Sequence, residues 1–331
     1  MLCDRPRKIS SSDMNTPRYL AITGGVGGAK LALGLSCLLE GSELALLVNT
    51  ADDFEHLGLH VSPDIDTLIY TLAGENNPET GWGRRDESWN FMRALGELGG
   101  ETWFALGDRD LAVNIERTRR LGQGQTLSQV TSAFAASFGI QHSIFPMTDD
   151  PVSTRVMTPA GEMAFQDYFV RKRCEPPVTG FRFAGAATAS PNPDVVSLLQ
   201  SPDLAGVILC PSNPFVSIDP ILALPGMREQ LQACEAPVIA VSPVVGGSAI
   251  KGPTVKIMTE LSVPNSASWV AEHYRSFLDG FVLDVQDEAL APAIDSLGIK
   301  TVAANTVMIT LEDRVALARR CMQLLDTLRI R

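Results

Sequence analysis

At 331 residues, with a formal net charge of −11 and an isoelectric point near 4.9, the chain lacks the clustered Lys and Arg that a nucleic-acid surface or an anionic membrane requires. Hydrophobic residues make up 45% and mean hydropathy is +0.09, so one large globular α/β domain, or a domain with an insertion, is expected. No apolar run reaches the ~18 residues of a membrane span, and six scattered cysteines without a CxxC pair read as the reduced thiols of a cytoplasmic protein.

The first eighteen residues, "MLCDRPRKISSSDMNTPR", are polar without an apolar stretch, and residues 1–18 are expected to be a disordered tail rather than a signal peptide. "RYLAITGG" predicts a short buried strand that meets glycines. "AKLALGLSCLLEG" follows with helical apolar spacing and a Gly stop, and "ELALLVNT" predicts a second buried strand. Strand, glycine turn, helix, strand is the opening of a doubly wound parallel sheet.

Residues of about 85–140 carry helical patterns, "ESWNFMRALGELG" and "TLSQVTSAFAASFG", and "STRVMTPAGEMAFQDYFVRKR" alternates around a turn like a β-hairpin. Residues of about 85–175 are therefore expected to form a small insertion capping the site. "AGVILCPSNP" and "APVIAVSPVVGG" predict two further strands that end in polar loops, where open α/β sheets bind ligands. A strand at Gly280–Val285 and the helix "LEDRVALARRCMQLLDTL" close the chain. The expected fold is one Rossmann-like α/β domain over residues 19–331, a doubly wound parallel sheet with a smaller inserted α/β region.

"TGGVGGAKL" contributes Gly24, Gly25, Gly27, Gly28 and Lys30 to a strand-to-helix turn. A phosphate can sit there on free backbone N–H groups and the helix dipole. The spacing is not that of a P-loop. A dinucleotide fingerprint would want Gly or Ala where Lys30 stands and an acid where the second strand ends in Asn49, so a nicotinamide-dependent oxidoreductase is disfavoured. Lys30, expected in the first helical turn, is poorly placed against the dipole unless an anion sits nearby; a tight turn with a solvated lysine is the alternative.

"VNTADDFEHLGLHVSPDIDTLIY" places five carboxylates, Asp52, Asp53, Glu55, Asp64 and Asp66, within fifteen residues, and after Lys30 the next Lys or Arg is Arg84. Like charges at ~4 Å repel by roughly 1 kcal/mol in water and roughly 4 kcal/mol in a partly buried cleft. Hard oxygen ligands without soft ones point to Mg²⁺. The alternative is structural: Ser62 as N-cap, Pro63 at the first helical position and Asp64 in the first turn. If "PDIDTLIYTLAG" is helical, Asp64 and Asp66 lie about 200° apart around the axis. One can then bind metal while the other meets a second substrate.

With "ITGGVGGAKL", "VNTADD", "SPDIDTLIYTLAG", "LGDRDLA", "MTDDPVSTRV", "FQDYFV" and "PSNPFVSIDPILALPGMRE" in one order, the chain from about residue 19 onward resembles the 2-phospho-L-lactate transferase family of deazaflavin coenzyme F-420 biosynthesis. The resemblance implies a Mg²⁺-dependent homodimer. It joins the deazaflavin alcohol FO to a guanosine-diphosphate-activated three-carbon acid (2-phospho-L-lactate, enolpyruvyl phosphate or 3-phosphoglycerate), forming a phosphodiester and releasing GMP. It implies Asp52 and Asp64 as metal carboxylates, and Asp66 and Arg109 as contacts to FO, with Asp66 a base or orienter of its hydroxyl. The loop from Gly24 to Lys30, with Ser212 and Asn213, would hold the guanine nucleotide. Arg109 could equally be held by Asp108 and Asp110 as a structural ion pair, and His56 or His60 could line the site or be structural. A related family of nucleotide-sugar-binding regulators, the gluconeogenesis-factor family, shares the glycine loop and "ADD". It implies a different segment where "SPDIDT" stands and no need for "LGDRD", so the sequence speaks against it.

Overall fold

The computed structural model describes residues 18–249 and 252–329. The tail expected at 1–18 lies outside these residues except for Arg18, whose N–H donates to the Glu43 carbonyl at the amino ends of the first two strands.

Seven strands build one parallel sheet: β1 (Tyr19–Thr23), β2 (Leu44–Val48), β3 (Ser143–Pro146), β4 (Gly206–Leu209), β5 (Val238–Val241), β6 (Gly280–Asp284) and β7 (Lys300–Ala304). Their spatial order is β3-β2-β1-β4-β5-β6-β7. The chain winds outward from β1 in one direction and from β4 in the other, so a crevice opens at the carboxyl ends of these two neighbours. β1, β2, β4, β5 and β6 are buried along their whole length, as strands covered on both faces must be.

Alternation along each strand feeds two cores. Leu20, Ile22, Leu47 and Leu209 face one side with Val195, Ile221 and Val270. Tyr19, Ala21, Leu46 and Ile208 face the other with Leu31, Ile65, Val130 and Leu317. That second side is covered by α1 (Gly25–Ser36), α2 (Pro63–Ala73), α5 (Leu127–Ser137) and the C-terminal helix Leu311–Arg329. Two more helices, α3 (Asn90–Glu97) and α4 (Asp108–Gly122), precede α5.

The stretch of about 85–175 does not form one continuous insertion. Ser143–Pro146 lies inside it yet pairs with β2 as the edge of the main sheet, from Ala45↔Ser143 to Val48↔Pro146. Pro146, at the strand's end, is tolerated because an edge strand has a free side. The segment therefore divides into helices before β3 and a small antiparallel sheet after it, Ser153–Thr158 with Gly161–Ala164 and Gly180–Ala184. The five cysteines among the described residues are free thiols, and no described helix is long and apolar enough to cross a membrane.

Candidate active site

At the end of β1 the backbone runs extended through Gly24 and turns left-handed at Gly25 (φ +66°), where α1 begins. Gly24 N–H donates to Ser212 Oγ at 3.1 Å, and Gly25 N–H donates to Asp64 Oδ1 at 2.8 Å. A β-carbon on Gly27 would fall 2.4 Å from the Pro211 carbonyl oxygen, and one on Gly28 would fall 2.0 Å from Thr23 Oγ1. These glycines let the loop after β4 press onto the first turn of α1. Because the helix starts at Gly25, Lys30 lies in its second turn rather than its first, and its Nζ donates to the Met308 carbonyl at 2.7 Å.

The loop after β4 is held by its own side chains. Asn213 Oδ1 accepts Phe215 N–H at 2.9 Å and its Nδ2 donates to Thr254 Oγ1 at 3.0 Å. Ser212 Oγ is the acceptor for Gly24 already described. Both residues stand at the crevice, with their side chains fastening it.

The five carboxylates separate into three kinds. Glu55 is solvated on the exposed turn side of the hairpin Phe54–His56/Leu59–Val61. Asp52 and Asp64 are buried and held by uncharged donors. Thr154 Oγ1 reaches Asp52 Oδ1 at 3.4 Å, and Asn49 Nδ2 donates to Asp64 Oδ2 at 3.0 Å. Burial pushes Asp52 well above the usual carboxylate range, with the Asp64 and Asp53 charges adding to it. Burial likewise lifts Asp64 to about 6, against the hydrogen bonds from Asn49 and Gly25.

Asp53 and Asp66 are the third kind, with basic side chains of the chain itself as partners. Asp53 Oδ2 accepts Ser62 O–H at 2.6 Å and meets His60 Nε2 at 3.1 Å, while its Oδ1 is buried without a partner. The Ser62 hydroxyl is thus spent on Asp53 and does not cap α2. Asp66 Oδ1 pairs with Arg117, a residue 1% exposed on α4. Burial raises Asp66 and the guanidinium beside it pulls it back. Asp64 and Asp66 therefore face different partners, as their angular separation on α2 requires.

Arg109, in the first turn of α4, is 42% exposed. Its NH1 donates to the Arg85 carbonyl at 3.1 Å and its NH2 meets Glu75 Oε2 at 3.4 Å. Asp108 and Asp110 do not hold it. Asp108 instead accepts from Ser88, Asn90 and Phe91, and Asp110 Oδ1 accepts Tyr70 O–H at 2.6 Å. A cavity of about 60 Å³ opens here, lined by Trp82, Arg84, Trp89 and Asp110.

His56 is 3% exposed in a ring cluster with Phe54, Trp103 and Phe104, its Nε2 unpartnered. Burial lowers its pKa below the ordinary 6.5, and it packs as a neutral ring. A cavity of about 890 Å³ lies at the opposite end of the strands, beside Pro237, Asp279 and Lys300.

A family model described as 2-phospho-L-lactate transferase CofD matches residues 20–312. The chain belongs to the 2-phospho-L-lactate transferase family. It is 38% identical to the 2-phospho-L-lactate transferase of Methanosarcina mazei, over 92% of this chain and 99% of that one. It is 37% identical to the phosphoenolpyruvate transferase of Streptomyces griseus, over 94% and 99%. A crystal structure of a UPF0052-family protein from Bacillus halodurans shares the fold, with a TM-score of 0.60 at 11% identity over 94% of this chain and all of that one. Membership of the 2-phospho-L-lactate transferase family makes the protein a transferase. The pairing of Asp66 with Arg117 was not legible in the sequence.

Proposed function

We propose that the chain joins a guanosine-diphosphate-activated three-carbon acid to the 5'-hydroxyl of FO in coenzyme F-420 biosynthesis, as a Mg²⁺-dependent homodimer that releases GMP. The observation that carries this reading is the pair Asp52 and Asp64, buried carboxylates with uncharged partners at the carboxyl ends of the strands beside the glycine loop. Family membership supports the reaction class. The names of the relatives, phosphoenolpyruvate transferase and 2-phospho-L-lactate transferase, support the class of donor.

The donor set fits Mg²⁺. Among the described residues no group of three or more His, Cys, Asp or Glu is arranged to hold a metal, and Mg²⁺ commonly takes one or two carboxylates with waters and phosphate oxygens. Asp52 and Asp64 would hold the ion, which when bound neutralises charge on the transferring phosphoryl group.

The chain's own groups then have separate tasks. Gly25 N–H and Asn49 fix the Asp64 carboxylate, and the loops after β1 and β4 receive the guanine nucleotide. Arg109 offers a planar fork of donors to the acceptor. Asp66 accepts a hydrogen bond from the FO hydroxyl and turns its oxygen toward the phosphorus that bears the three-carbon acid. Phosphoryl transfer needs positioning and charge neutralisation, so no covalent nucleophile is required.

The test is mass spectrometry of the products when the purified protein receives FO, Mg²⁺ and each of the three guanosine-diphosphate donors in turn. A deazaflavin phosphodiester is expected, and its mass names the acid. Folded protein that yields no product from any donor overturns the reading in favour of a nucleotide-binding regulator. Light scattering of the same sample tests the dimer.

A further inference from the structure

We infer that Arg117 is a positioning residue of this reaction, locking the Asp66 carboxylate so that its second oxygen meets the acceptor hydroxyl. This role rests on the reading of Asp66 given above. Arg117 is among the largest fully buried side chains of the protein. Desolvating a guanidinium costs several kcal/mol, and an apolar pair of similar volume often packs as well or better. Packing alone therefore does not account for a charged pair at this position.

The geometry shows what the charge does. NH2 binds Asp66 Oδ1, while NH1 donates to Asn114 Oδ1 at 2.7 Å and reaches the His60 carbonyl at 3.4 Å. The Phe134 ring lies under the guanidinium, 5.7 Å from it. Partners on α2, α4 and the Leu59–Val61 strand, with an aromatic floor from α5, leave the plane of the fork no freedom to turn. A carboxylate held by such a fork on Oδ1 has its other oxygen fixed in direction as well. Among the described residues, Asp66 Oδ2 accepts no hydrogen bond. One helical turn further along α2, Tyr70 O–H is committed to Asp110, so it does not compete for that oxygen.

A lysine at 117 would keep the charge and lose the fork. Arg117→Lys is expected to lower kcat about 100-fold, the scale on which misplacement of a reacting group acts, with the KM for the guanosine-diphosphate donor unchanged. In Arg117→Ala, added guanidinium ion should recover part of kcat and ammonium ion should not. Asn114→Ala keeps the arginine and releases one of its anchors; it should lower kcat with the same unchanged donor KM, and it decides the matter if the Arg117 variants do not fold. Wild-type kcat in folded Arg117→Lys or in Asn114→Ala overturns the role while leaving the transferase reading intact. A wild-type protein that forms no deazaflavin phosphodiester overturns both.

Discussion

The two ends of α2's first turn handle negative charge in opposite ways. Asp64, with Asp52, is surrounded by amide and hydroxyl donors, whereas Asp66 is matched inside the chain by a buried arginine. Residues two positions apart on one helix thus belong to different electrostatic economies. The first pair has its charge stabilised only in part and is suited to an exchangeable cation. The second is neutralised permanently and is suited to holding a fixed direction. A cluster of acids in a sequence is one feature; in the fold it becomes two devices.

Removing one acid from each device should separate them. Asp64→Asn is expected to lower Mg²⁺-dependent turnover about 10³-fold and still fold, with a thermal midpoint in metal-free buffer no lower than wild type. Wild-type turnover with unchanged Mg²⁺ dependence would refute the assignment. Asp66→Ala should lose stability as well as turnover. It strands Arg117 without its carboxylate, and denaturant unfolding should show a loss of about 3–5 kcal/mol; equal stability of the two variants would erase the distinction.

Arg109→Ala sharpens the comparison at the exposed rim. Removing a charge-assisted hydrogen bond should raise the KM for FO roughly tenfold and leave guanine-nucleotide binding, measured by calorimetry, as it was. Unchanged FO kinetics would dismiss the contact. The smallest effect is expected from His56. Its folded pKa is depressed by burial, so the unfolded chain binds the proton more readily. The ring's contribution is present above about 6.5 and is lost as pH falls through the folded value. His56→Phe should therefore flatten the fall in stability on acidification through that window, and an unaltered pH dependence of the thermal midpoint would count against a neutral buried ring.

Much of the fold was legible because its signals are local. "YLAIT", "LALLV", "GVIL" and "VIAV" are unbroken apolar runs, and buried parallel strands have that form. β3 escaped notice because "SIFP" is four residues long and ends in proline, leaving the pairing with β2 to define it. At the site, the acids and glycines could be located by sequence spacing, but their partners could not. Asp66 meets Arg117 across 51 residues, and Gly24 meets Ser212 across 188. Lys30 illustrates the same limit at short range, since a helix that begins at Gly25 carries it past the loop it was expected to serve.

The Asp64 carboxylate has one oxygen on the first N–H of α1 and the other on the amide of Asn49, just beyond β2. A ligand that draws electron density from that carboxylate weakens its hold on the Gly25 N–H and changes what the glycine loop can offer an anion. On the proposed reading, Mg²⁺ and the guanine nucleotide would then bind as coupled partners, and the factor by which either altered the other's affinity would be the same in both directions. One side chain, Asp64, thus joins the start of α1 to the end of β2.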